Sequence, residues 1–256
     1  MNGPNPIGVA WSILRARRVR RPAPSPSGPT VDHRPLVSVL QAIETGGVAA
    51  LSDHTDTLRR HLDDLREIDP DDLDRPTALA YWLNLYNLGA LDLARRSMES
   101  GATTVLRTPG GFSEPVAEIA GERLSLNDIE HGKIRRFGDP RIHGALVCGS
   151  VSCPTLRHEP YEGDRLDDQL DHQMSAFLSA GAAVVSERTV ELSRVFLWYG
   201  ADFVRPARMP TFLPARRRAV ARSLRPWLDP ESAEAVDRLR VRFQAYDWGL
   251  ACSVNR

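Results

Sequence analysis

Cysteine is scarce in this sequence, with three in 256 residues. That is too few, and an odd number, for a disulfide framework in a chain long enough not to need one. A reducing interior, the cytoplasm, is the expected setting. Surplus charge is missing as well. Lys+Arg and Asp+Glu each number 33, so the formal net charge is zero, and the basic excess typical of nucleic-acid binders is lacking. No nucleic-acid partner is expected. No run of about 18 apolar residues occurs, so no transmembrane segment is expected either. Internal repeats are absent. What remains, 42% hydrophobic and 26% charged residues, is the composition of a globular chain.

The N-terminus stands apart. Residues 1–30 contain no acidic residue and carry a basic run, Arg15-Ala-Arg-Arg-Val-Arg-Arg21. The prolines of Pro22-Ala-Pro-Ser-Pro-Ser-Gly-Pro29 lack the backbone donor that a helix or sheet ladder needs. The expected division is therefore a disordered, basic, Pro-rich tail over 1–32 and a single globular domain over 33–256. Trp11, Ile13 and Leu14 beside the arginines offer a weak membrane-surface or protein contact, and a solvated tail is the preferred reading.

Within the domain, residues 35–66 read as two amphipathic helices. Leu79, Trp82, Leu83, Tyr86, Ala90 and Leu93 recur at helical spacing after Pro76, giving one apolar stripe. Residues 118–124, with a central glycine, suggest a hairpin, and 143–148 a buried strand. Helices are expected over 166–178, 195–203, 210–222 and 230–239. Two short strands are expected over 184–192 and a last one over 241–250. The sum is an α+β fold, helix-rich around a small, mainly antiparallel sheet.

Chemistry concentrates in Arg141-Ile-His-Gly-Ala-Leu-Val-Cys-Gly-Ser-Val-Ser-Cys-Pro-Thr-Leu-Arg-His158. If Pro154 opens a helix, Cys153 is its N-cap, where the helix dipole lowers a thiol pKa and populates the nucleophilic thiolate. A buried, inert cysteine is the competing reading and, on spacing alone, the favoured one. Cys148 reads as a small hydrophobe at a strand end, although the Gly/Ser turn could bring it close enough to Cys153 for a disulfide. His143, Cys148, Cys153 and His158 recur every five residues, which is one face of neither helix nor strand. No metal or other cofactor is expected. In Asn127-Asp-Ile-Glu-His-Gly132, Asn127 as N-cap would make Glu130 the partner of a capping box. Otherwise Glu130 or His131 faces a cleft as base or orienter. Asn84, Asn87 and Asp202 read as structural anchors or, alternatively, as ligand contacts.

Five segments together resemble a known family: residues 81–87 (YWLNLYN), 124–132 (LSLNDIEHG), 139–154 (DPRIHGALVCGSVSCP), 196–203 (FLWYGADF) and 246–250 (YDWGL). In this order they are similar to the hallmark segments of the domain of unknown function 547, over roughly residues 35–251. The resemblance implies a fold comparable to a rearranged papain-like or transglutaminase-like thiol enzyme. It also implies that Asn84, Asn87, Glu130, His131, His143, Cys148, Cys153, Trp198 and Asp202 are the family's recurrent polar positions. One departure is Ala251, where the family's closing motif carries asparagine.

Three functions follow as expectations. The first is a thiol-dependent hydrolase or acyl transferase on a peptide-like or amide substrate. In it Cys153 attacks, His131 or His143 takes the proton, Glu130 orients the imidazole, and backbone N–H groups near Ser152 and Cys153 hold the oxyanion. The second is a non-catalytic module binding a peptide or small thiol in the same cleft. The third is a redox-responsive interaction domain built on Cys148 and Cys153.

Overall fold

The computed structural model describes residues 10–11, 14–206, 214–252 and 254–255. Ile13 of the expected tail contact and the first part of the expected 210–222 helix lie outside the described residues. Helix α1 spans Pro35–Gly46 and α2 spans Thr55–Arg66, joined by a 3₁₀ stretch over Gly47–His54. Residues 35–66 hold a window apolar enough to cross a membrane by length and composition, a stretch not expected from the sequence. Yet Gly47 breaks the helix at φ 61°, and Leu36, Val39, Leu51, Leu58 and Leu65 are buried in the core.

Helix α3, Arg75–Glu99, is the axis of the molecule. The Asp74 carboxylate accepts from Thr77 N–H at 2.9 Å and Pro76 occupies the first turn, where its missing donor costs nothing. The single apolar stripe read from the sequence understates its burial: every residue from Thr77 to Leu91 is buried. The helix is enclosed by α2, residues 47–54, the 126–137 segment and the 163–165 turn.

Strands β1 (Pro115–Ile119) and β2 (Glu122–Ser125) form the expected antiparallel hairpin. The two-residue β3, Leu156–Arg157, precedes α4, Leu166–Phe177. Strands β4 (Ala183–Val185) and β5 (Thr189–Leu192) pair antiparallel, and β6 (Arg240–Phe243) adds parallel to β5. Between them come α5 (Arg217–Ser223) and α6 (Pro230–Arg238). Strand β7, Val254–Asn255, pairs parallel with β3. The helix-rich α+β class holds, with the strands in three small sheets instead of one. The larger core surrounds α3, and a second surrounds Phe196 and Leu192 between α4, β4–β6, α5 and α6.

Four local readings change. Residues 143–148 are not a strand: Ile142–Ala145 is a short helix, and the chain then runs extended without a sheet neighbour. A short apolar run is as compatible with buried coil as with strand when a side chain supplies the backbone partners, and Asn87 does so here. Pro154 opens no helix, because the chain after it enters β3 against the C-terminal β7. The strand expected over 241–250 ends at Phe243 as β6, and 244–249 is irregular. The segment from Leu14 to Ser25 lies on the domain instead of in solvent. Ala16 is 1% exposed, Arg15 pairs with Asp128 at 3.2 Å, Lys133 donates to the Arg20 carbonyl at 2.8 Å, and Ser25 N–H donates to the Leu73 carbonyl at 2.8 Å. These carbonyls and N–H groups satisfy a proline-rich stretch that cannot pair with itself.

Candidate functional site

The helix that carries Glu130 and His131 starts two residues earlier than the sequence suggested. Ser125 is the N-cap. Its hydroxyl accepts from Asp128 N–H at 3.2 Å, and the Asp128 carboxylate accepts from Ser125 N–H at 3.1 Å, a complete capping box. Asn127 bonds Ser113 instead. Glu130 is thus released from capping and falls in a π-helical turn, Ile129–Lys133, with every residue buried. Such turns widen the helix locally and often occur at functional sites.

Glu130 accepts from the Tyr199 hydroxyl at 2.6 Å and the Tyr86 hydroxyl at 3.2 Å. Burial works against its charge. The Tyr199 hydroxyl and the Arg135 guanidinium more than offset that and hold the carboxyl below the ordinary glutamate range. Burial and the carboxylate raise both tyrosines well above their usual values, so they stay donors. His131 Nδ1 lies 3.4 Å from Arg135 Nη1 and 3.4 Å from Glu130 Oε1. A guanidinium only donates, so Nδ1 is the acceptor and the ring is neutral. Burial first, then Arg135, takes its pKa down to about 4. Asp202 receives both Arg135 Nε and Nη2, at 2.7 and 2.8 Å, and His143 Nε2 donates to it at 2.9 Å. Despite burial, the bonds from His143 and Arg135 hold its carboxyl far below the usual value. The His143 ring stacks on Tyr199 with centroids 4.1 Å apart.

The second part of the site is the Cys148–Cys153 loop. Its two sulfurs are joined as a disulfide, with Cα atoms 6.3 Å apart. Gly149 turns the loop at φ 77° and packs close to Ala94 and Val105, so a side chain there meets both strain and crowding. The C-terminal segment clamps the loop: Val151 N–H donates to Gly249 at 2.8 Å, Ala251 N–H to Gly149 at 3.0 Å, and Asp247 N–H to the Ser152 hydroxyl at 2.9 Å. Asn87 fixes the approach to Cys148. Its amide donates to the Ala145 carbonyl at 3.1 Å and accepts from Val147 N–H at 3.0 Å.

A chain of polar contacts links the sulfurs outside the loop. Cys148 Sγ is 3.0 Å from Ser150 Oγ, Ser150 Oγ is 2.9 Å from the Tyr246 hydroxyl, and that hydroxyl donates to Cys153 Sγ at 3.3 Å. Cys148 N–H also donates to Cys153 Sγ, at 3.0 Å. Burial pushes the Tyr246 hydroxyl up to about 12, so it remains a donor at neutral pH. Its ring lies against Trp198 and Trp248, with centroids 4.9 and 4.4 Å away. Trp198 is 38% and Val151 55% exposed, so an apolar rim borders the half-buried disulfide.

Of the residues singled out in the sequence, Glu130, His131, His143 and Asp202 meet in one buried cluster, and Cys148, Ser152, Cys153 and Trp198 meet around the disulfide. Among the described residues no imidazole nitrogen is hydrogen-bonded to either sulfur; Tyr246 occupies that position at Cys153. Asn84 serves the backbone of Tyr161, donating to its carbonyl at 2.8 Å and accepting from its N–H at 3.0 Å. Sequence reasoning missed Tyr86, Arg135, Ser150, Tyr199 and Tyr246. The available signal was tyrosine inside apolar motifs, since a buried phenol needs a polar partner.

Residues 70–178 match the model of the family described as protein of unknown function, DUF547. Over that segment, 109 of the 256 residues, the chain is similar to the family. The match takes in the first three of the five resembling segments, and so Glu130, His131, His143 and both loop cysteines. Segments 196–203 and 246–250, which supply Tyr199, Asp202 and Tyr246, lie beyond it. No curated protein and no solved structure matches the chain.

Proposed function

We propose that this chain is a redox-responsive domain in which Cys148 and Cys153 interconvert between dithiol and disulfide. The observation that carries the reading is the sulfur pair itself: two cysteines bonded across a six-residue loop, half-buried beside an apolar rim. In the reduced state Cys153 is the better nucleophile, because Cys148 N–H and the Tyr246 hydroxyl both donate to its sulfur and favour thiolate. Cys153 thiolate attacks one sulfur of an incoming disulfide, forming a mixed disulfide and releasing one thiolate. Cys148 then attacks the Cys153 sulfur and expels the second. Its proton has a path through Ser150 and Tyr246. Two thiols and one disulfide have become one disulfide and two thiols, so atoms and electrons balance. A reducing cytoplasm, where the pair rests as the dithiol, suits a chain whose remaining cysteine, Cys252, is buried and free.

Thiol hydrolysis finds less support. It needs a base that accepts the Cys153 proton near neutrality, and Tyr246, at about 12, is already protonated there. The deciding experiment equilibrates the full chain in glutathione buffers of graded potential and maps the peptide containing residues 148–153. The expected result is a reversible loss of about two daltons, absent in Cys148→Ser and Cys153→Ser. Persistence of two free thiols across the whole oxidising range would end this reading.

A further inference from the structure

The docked N-terminal segment creates a cleft away from the cysteines. Its cavity, about 330 Å³, is lined by Pro22, Ala23 and Pro24 on one side and by Arg75, Arg136 and Phe137 on the other. Arg136 is only 6% exposed, yet no carboxylate pairs with it among the described residues. Two of its five N–H groups donate to backbone carbonyls, Nη1 to Val19 at 3.1 Å and Nη2 to Ala16 at 2.6 Å, and its Nε–H has no acceptor. A buried cation is normally paired, whereas this one hydrogen-bonds only carbonyls, and the Glu122 carboxylate supports its charge without bonding to it. Burial and the nearby Arg21 guanidinium both push its pKa down, as expected for a cation short of counter-charge. Arg75 donates to the Phe137 carbonyl and stands 5.0 Å from the centroid of the Phe137 ring, again without a carboxylate partner among the described residues. Carboxylates along this edge are engaged elsewhere. Asp71 pairs with Arg20 and accepts from Ala23 N–H, Asp74 caps α3, and Glu122 pairs with Lys133.

We propose that this cleft binds a small phosphorylated compound, its dianionic head between Arg75 and Arg136 and its apolar body against Phe137, Pro22 and Pro24. Guanidinium forks suit phosphate geometry, and two guanidiniums without a hydrogen-bonded carboxylate favour a dianion over a monoanion. The volume is that of a small-molecule site. The site rests on the N-terminal segment as its second wall and is independent of the redox chemistry.

The test is calorimetric titration of the full chain, at low salt, with phenyl phosphate and with benzoate as the monoanionic counterpart. Saturable binding of phenyl phosphate is expected, at least about tenfold tighter than benzoate. Arg75→Gln, at an exposed position, should weaken it by about tenfold or more, the effect of losing one charge-assisted contact. The melting temperature of that variant is read alongside to show that it is folded. The comparison of the two anions on the wild type needs no variant. Equal affinity for both anions, unchanged binding by folded Arg75→Gln, or no saturable binding at several millimolar phenyl phosphate would each overturn the proposal.

Discussion

At the residue scale, Tyr246 stands beside Cys153 where an imidazole was expected, and it donates where the imidazole would have accepted. A phenol whose pKa stands at about 12 is a fixed donor at neutral pH, so in the proposed dithiol state it would stabilise thiolate on Cys153 without competing for its proton. A hydrogen bond to a charged group contributes about 1.5–3 kcal/mol, which corresponds to roughly one to two pKa units on the thiol. Tyr246→Phe keeps the ring against Trp198 and Trp248 but removes the hydroxyl. In the reduced protein, alkylation of Cys153 by iodoacetamide at pH 7 is therefore expected to slow by about tenfold, with its pH midpoint moved upward. An unchanged rate profile would mean that the 3.3 Å contact does not govern the thiol. Glu130 shows the same logic in reverse: two tyrosine hydroxyls with high pKa values serve a carboxylate that stays charged although buried.

At the element scale, α3 positions the site through polar residues that helix propensity disfavours. Asn87 sits in a helix interior, where asparagine is a weak helix former, because its amide replaces the sheet neighbour that residues 145–147 lack. Asn87→Ala leaves one buried N–H and one buried carbonyl unpaired, at about 1–3 kcal/mol each. A fall in melting temperature of roughly 5–15 °C is expected for a chain of this size. A shift under one or two degrees would show that water or a rearranged loop satisfies these groups. The N-terminal segment depends on an equally local feature. A Cβ on Gly132 would stand 2.8 Å from the Val19 Cβ, closer than packed carbons allow. Gly132→Ala should therefore lift the segment and speed tryptic cleavage at the exposed arginines between Arg15 and Arg21 while the domain remains intact. Cleavage at the wild-type rate would mean that Val19 shifts without loosening the segment.

At the scale of the whole molecule, buried imidazoles set the response to acid. His33 Nδ1 and His61 Nε2 lie 3.3 Å apart between the start of α1 and α2, and the outer nitrogen of each ring has no partner among the described residues. Burial is the first cause that lowers both, taking His33 down to about 3, and His131 is held at about 4. The unfolded chain takes up these protons near pH 6.5 while the folded chain refuses them until well below. The stabilisation is therefore complete above about pH 6.5 and is lost as pH falls toward 4 and 3. Melting temperature is expected to be level from pH 8 to 7 and to drop steeply below 6, with a smaller drop in His33→Phe/His61→Leu. A level profile down to pH 5 would contradict it.

Local pattern alone determined much of this molecule. The helical period over 79–93, the glycine-centred 118–124 hairpin, the 166–178 helix and the clustering of chemistry in 141–158 all express rules that act within a few residues. The family likeness of residues 70–178 was likewise readable in the motifs. What only the tertiary structure decided are relations between distant segments. Ser125, not Asn127, caps the helix of Glu130, β7 draws Pro154 into an extended chain, Tyr246 meets Cys153, and the arginine-rich start of the chain finds a carboxylate partner on the domain and offers its own carbonyls to Arg136. The reason is physical. A buried hydrogen-bond donor or acceptor must be satisfied by whatever partner folding brings within about 3 Å, and sequence spacing does not record which residue that will be.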